Sequence, residues 1–187
     1  MLKNFIISVD GPAGSGKARI AKYIAKKYGL YHLDSGILYR RLAKVIYERK
    51  IDFKKKNHLN HLLQSLDYLS PRSHKTLRKE KISNLSSKIA VISSIREYIN
   101  FQQRKITKKM FKNYIGCVVD GRDIGSKVFK NAKIKLFIQV SPEIRAKRRH
   151  KQLIELGEKS IYSRILKEIN LRDKADRNRS NSPLVIP

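Results

Sequence analysis

The sequence predicts an α/β fold in which helices flank a parallel sheet in three layers. Three observations carry this. The apolar run Phe5-Ile6-Ile7-Ser8-Val9 leads directly into a glycine-rich turn and then a helical pattern, the order of a strand–loop–helix unit. Two further runs read as strands: Tyr114 to Val119, apolar throughout as a strand covered on both faces is, and Lys133 to Val140, with Ile134, Leu136, Phe137, Ile138 and Val140. Helical patterns separate these runs, and parallel strands require such crossover connections. With 187 residues, 41% of them hydrophobic, the chain suffices for a single domain with a full core. We read residues 1–50 and 83–187 as that core and 51–82 as a short insertion.

The first turn is the most informative stretch. Gly11-Pro12-Ala13-Gly14-Ser15-Gly16-Lys17 fits the spacing G-x-x-x-x-G-K. In such a loop glycines turn successive backbone N–H groups inward around a phosphate chain, and the lysine neutralises the outer phosphates. The helix that follows, with Ile20, Ala21, Ile24, Ala25 and Tyr28 on one face and Gly29 as its stop, aims its positive end at the same place. Ala18 and Arg19 stand where a hydroxyl for magnesium is usual. A plain glycine turn is the alternative; taken alone, the loop implies a nucleoside triphosphate or another polyphosphate.

Composition narrows the partners. Forty-three Lys and Arg against fifteen Asp and Glu leave a formal charge of +28, which favours polyanions: nucleotides, nucleic acid or an anionic membrane. The excess is spread along the chain and is mostly lysine, so compositional bias explains it equally well. Stacking aromatics on a basic strand, zinc spacings and helix-turn-helix signals are missing, and no specific nucleic acid is expected. None of the five His residues has a metal-ligand spacing, and no metal held by protein side chains is expected. The one cysteine, Cys117, cannot form an internal disulfide, which fits a reducing cytoplasmic setting. No signal peptide or membrane-spanning stretch is expected.

Further along, Leu30 to Leu33 reads as a second strand, and a helix follows from Ile37 with Asp34 or Ser35 as its cap. Tyr39 and Arg40 lie in its first turn, near the sheet edge where open α/β folds bind ligands, although a half-buried Tyr and a solvated Arg would read the same way. In the insertion, the spacing of Leu59, Leu62, Leu63, Leu66 and Leu69 suits a helix. Ser94-Ile95-Arg96-Glu97 has capping-box form and predicts a fresh helix at Ser94, a break that lets Ser87 and Arg96 face one site. Asp120-Gly121-Arg122-Asp123 ends an apolar strand; charges there need partners or an ionic ligand. Ser141-Pro142-Glu143 marks a helix start, and Arg145, Lys147, Arg148 and Arg149 follow before a stop near Gly157. Ser160 is the predicted cap of the last helix, where Arg172, Asp176 and Arg179 fall on one face.

Together, Val9 to Lys17, Leu33 to Arg40, Val119 to Gly125, Ser141-Pro142-Glu143 with Arg148-Arg149, and Arg172 through Leu184 resemble the bacterial cytidylate kinases, a branch of the nucleoside monophosphate kinases. The resemblance implies a P-loop NTPase fold and transfer of the terminal phosphoryl group of ATP to CMP or dCMP. It places Gly11 through Arg19, with Arg148 and Arg149 of an Arg-rich lid near 145–165, at the ATP. Ser35, Tyr39, Arg40, Ser87, Arg96, Asp120, Arg122, Asp123, Arg172, Asp176 and Arg179 fall at the acceptor. It gives catalytic roles to Lys17, Arg122, Asp123 and Arg179, and implies Mg2+ held mainly through phosphates and water, and a monomer. Residues 51–82 match a shortened acceptor-binding insertion. In the family a further strand and helix follow the Ser182-Pro183-Leu184 segment, so a sheet smaller by one strand, or a truncated form, is expected. Two other readings stay open: a nucleotide-binding relative with impaired catalysis, and a kinase for another small acceptor.

Overall fold

The computed structural model describes residues 3–155 and 157–187. Four parallel strands, β1 (Phe5–Asp10), β2 (Tyr31–Asp34), β3 (Gly116–Gly121) and β4 (Ile134–Phe137), form one sheet in the order β2-β3-β1-β4. Their connections leave adjacent β1 and β3 toward opposite edges, so a switch point opens at the carboxyl ends of these two strands. The register brings Asp34 beside Asp120, Asp120 beside Val9, and Gly121 beside Asp10 there.

Alternation along β1 and β3 divides the core in two. Ile7, Val9 and Val118 face Ala21 and Ala25 of α1 (Lys17–Lys27). Ile6, Cys117 and Val119 face the larger cluster, which includes Leu38 and Leu42 of α2 (Ser35–Glu48), Ile82 and Ile89 of α4 (Glu80–Ile89), and Ile95, Ile99 and Ile106 of α5 (Ser93–Met110). Each such fully buried side chain stabilises the fold by roughly 1.5–3 kcal/mol relative to exposure. The three layers expected from the sequence are thus present.

The insertion forms α3 (Lys56–Ser65) and a short 3-10 turn at Lys75–Arg78. Its Leu59, Leu62 and Leu69 join the larger core rather than a core of their own. Side chains of α5 hold its following segment: Tyr98 Oη donates to the Leu66 carbonyl at 2.7 Å, and the buried Gln102 accepts from Leu69 N and donates to the Asp67 carbonyl. The chain closes with α6 (Pro142–Glu155) and α7 (Tyr162–Asn178), packed on each other.

Several local expectations are corrected. The break before α5 falls at Ala90–Ile92, with Ile92 rather than Ser94 at the cap, because Ile89 closes α4 and the chain turns at once. Ile161 caps α7, since the Ser160 hydroxyl is instead 2.7 Å from His150 Nδ1. Tyr28 is 59% exposed and outside the apolar face of α1, and the third strand starts at Gly116, leaving Ile115 exposed. As predicted, α1 ends at Gly29, where Leu30 N donates back to the Ala25 carbonyl at 2.8 Å. Ser141 Oγ accepts from Ile144 N at 3.4 Å ahead of Pro142, so that predicted helix start also stands.

Candidate active site

The glycine-rich loop joins β1 to α1 at the switch point. Gly14 and Gly16 take positive φ, and Gly11 passes so close to β4 that a Cβ would sit 2.4 Å from the Ile138 carbonyl oxygen. Two carbonyls of the loop are turned outward onto cations. Lys17 Nζ donates to Pro12 O at 3.0 Å, and Arg145 Nη1 donates to Ala13 O at 3.0 Å. Burial, reinforced by the charge of Arg122, lowers the Lys17 pKa to about 7, although Asp120 and Asp34 pull the other way. Ser15 Oγ is buried with no protein partner.

The loop is tied to the segment after β3 by Asp10, which is fully buried. Its two carboxylate oxygens accept from Ile124 N at 2.8 Å and Gly125 N at 2.7 Å, at the start of a π-helical turn, Ile124–Val128. Desolvation outweighs these two bonds and raises the Asp10 pKa to about 6. Strand-end Asp120, 2% exposed, has His32 Nε2 2.7 Å from its Oδ1, and burial raises its pKa.

Around this edge the predicted acceptor residues form separate charged groups, Arg96 with Asp123, Arg122 and Arg179 with Asp176, and Arg40 with Asp34. Arg96 on α5 is 3% exposed, pairs with Asp123 through Nη2 and donates through Nη1 to the Ala90 carbonyl at 3.0 Å. Its guanidinium lies 5.9 Å from the Tyr39 ring. Arg122 Nε donates to Asp176 on α7 at 2.6 Å, and Asp176 also meets Arg179 at 3.5 Å. Burial would raise the Asp176 carboxyl; the neighbouring Arg122, Arg179 and Arg172 overcome this and hold it below the usual range. Crowding by protein, and by the charges of Arg122 and Arg40, lowers Arg172 to about 10, while part of its side chain stays open to solvent. Arg40 folds back toward Asp34, 4.0 Å away, at the start of α2, and Ser35 is buried there. Arg96 Nε and Arg179 Nη2 are buried donors without a protein partner.

Two groups of predicted residues stand apart. Ser87 Oγ donates back to the Ser83 carbonyl of its own helix at 3.2 Å. Arg148 and Arg149 are exposed on α6, Arg149 bonded to Gln152 at 2.9 Å. The two cavities described, of about 440 Å³ against the outer face of α7 and about 540 Å³ under Val128–Ala132, do not border Lys17. Sequence reasoning missed His32, Asp10 as a clamp, and Arg145 with Asp173. Only Asp10 had a local signal, an acid at the point where an apolar strand meets the loop.

Comparison with known proteins bears on the family and the fold. The family model described as cytidylate kinase matches residues 7–187. The cytidylate kinase of Rickettsia akari is 41% identical over 183 residues, covering 98% of this chain and 80% of its own. That of Fusobacterium nucleatum is 37% identical over 192 residues, covering 98% and 86%. Among solved structures, TT1252 from Thermus thermophilus shares the fold, with a TM-score of 0.52 at 15% identity over 92% of this chain and 80% of its own. On this footing the chain belongs to the cytidylate kinase family.

Proposed function

We propose that this cytidylate kinase family member transfers the terminal phosphoryl group of ATP to CMP or dCMP, giving ADP and CDP or dCDP, at the carboxyl edge of β1 and β3. What supports the reading is the convergence of Arg96, Arg122, Arg172 and Arg179 through Asp123 and Asp176, beside the loop that carries Lys17. In phosphoryl transfer the protein has little covalent work, so position and charge neutralisation set the rate. An oxygen of the acceptor phosphate forms the new bond to the γ-phosphorus as the bond to the bridging oxygen breaks and ADP departs. No protein nucleophile is needed.

Gly11 through Arg19 hold the donor, whose phosphates displace the Lys17 ammonium from Pro12. Arg40 and Arg96 bind the acceptor phosphate and Arg179 reaches the transferring phosphoryl group, Arg96 and Arg179 through their unpartnered N–H groups, while Arg172 and Asp176 lie near the acceptor sugar and phosphate. Arg122 and Asp123 read the cytosine together with Ser87. Arg148 and Arg149 close over the donor as a lid and exclude water. The donor set fits a hydrated magnesium ion. Ala18 and Arg19 lack hydroxyls, so the ion would be held mainly through the nucleotide phosphates and water, with the unpartnered Ser15 hydroxyl as a side-chain contact. When bound, the ion neutralises charge developing on the phosphates.

We place the protein in a reducing cytoplasm: Cys117 is free and buried, and burial pushes its thiol to about 12. We propose that it acts as a monomer. ADP release measured with ATP and CMP tests the assignment. Turnover that is abolished in Lys17→Met supports it; tight binding of both nucleotides without turnover contradicts it.

A further inference from the structure

Arg145 differs from every other cation on its helix. Lys147, Arg148 and Arg149 are exposed, yet the Arg145 side chain is 1% exposed and four of its five guanidinium N–H groups are bonded. Nε donates to the Val140 carbonyl at 2.9 Å. Nη1 is shared between the Ala13 carbonyl and Asp173 Oδ1, both at 3.0 Å, and Nη2 bonds Asp173 Oδ2. A Cβ on Gly14 would lie 3.8 Å from the Arg145 stem, so the arginine forms the floor of the phosphate loop. Because Asp173 cancels its charge and four of its five N–H groups are committed to protein oxygens, Arg145 serves the loop's carbonyl side rather than the phosphates.

We propose that Arg145, held by Asp173, is a positioning residue that fixes the phosphate loop and couples it to the acceptor side of the site. A loop that presents N–H groups inward must turn its carbonyls outward, and an outward carbonyl needs a donor. Arg145 supplies that donor at Ala13. Asp173 sets the register of α7, whose neighbouring Arg172 and Asp176, the latter paired with Arg122, are among the acceptor groups. One buried ion pair therefore joins the end of β4, the donor loop and the acceptor helix. α6 is pinned at its base, while Arg148 and Arg149, a turn further on, remain exposed.

The inference rests on the assignment of Gly11–Lys17 to the donor nucleotide. ATP binding by the unaltered protein tests that assignment by itself, and the variants test only the pivot. Replacing a buried ion pair by apolar residues of similar size is often neutral for stability, so Arg145→Met with Asp173→Leu separates folding from positioning. Steady-state kinetics on the folded double variant should show the KM for ATP raised at least tenfold and kcat lowered at least tenfold, with an unchanged melting temperature. Wild-type KM and kcat in that variant would overturn the proposal. Arg145→Lys keeps a charge for Asp173 but cannot make the fork, and it serves if the double variant does not fold. It should raise the KM for ATP at least fivefold while leaving the Kd for CMP alone within twofold. A loss of active protein with an unaltered KM for ATP would reduce Arg145 to a structural role and overturn the proposal.

Discussion

Lys17 offers the sharpest test of the electrostatics. Its ammonium is 8% exposed, and burial with the Arg122 charge lowers its pKa to about 7, so at pH 7.5 only about a quarter of the ligand-free protein carries the charge. A triphosphate beside the amine reverses both causes and restores full protonation. ATP binding at pH 7.5 should therefore take up about three quarters of a proton at this residue. Calorimetric titration in buffers of different ionisation enthalpy reads this number as a slope, and subtracting the slope for Lys17→Met removes the contribution of ATP itself. The variant should also lower kcat by about 100- to 1,000-fold, the cost of removing one preorganised donor to developing charge. Its fold should hold. Between about pH 7 and the ordinary lysine value of 10.5 the unfolded chain binds more protons at Lys17, so stability rises with pH in that window and the variant lacks the rise. Equal slopes for wild type and Lys17→Met would refute the argument.

Other expectations follow from single groups. Asp123→Ala unpairs the buried Arg96, and together with Arg122→Ala it should lower the CMP to UMP ratio of kcat/KM; an unchanged ratio would remove both from base selection. Because the folded pKa of Asp10 is raised to about 6 from 3.8, its stabilising effect is complete below about pH 4 and lost as pH rises through 6, worth up to about 3 kcal/mol. Urea midpoints at pH 4.5 and 7.5 should therefore differ less in Asp10→Asn than in wild type. Leu38→Ala removes a fully buried side chain from the larger core and should cost roughly 2–5 kcal/mol in urea unfolding, with a loss below 1 kcal/mol contradicting that packing.

What could be read from the chain was local. The order of strand, glycine loop and helix exposes β1 to α1 because spacing and periodicity repeat within a few residues, and the Ser141-Pro142-Glu143 start is equally self-contained. Single-residue caps were less secure. Ser160 carries the right chemistry for a cap, but its hydroxyl lies against His150, and that choice depends on how α6 and α7 pack. The site's supports were illegible for the same reason. Asp10 meets Ile124 and Gly125 across more than a hundred residues, His32 meets Asp120 across 88, and Arg145 meets Asp173 from a different helix. No periodicity encodes such pairs. The arginines themselves were found through resemblance, since a basic helix face looks the same whether it binds phosphate or water.

The decisive measurement is ADP formation from ATP with CMP, dCMP, UMP and AMP compared side by side on the full chain. A site built from Arg96, Asp123, Arg122 and Asp176 predicts rapid turnover with CMP and dCMP, and kcat/KM lower by at least tenfold with UMP and AMP. Turnover indifferent to the base, or none with CMP, would contradict it.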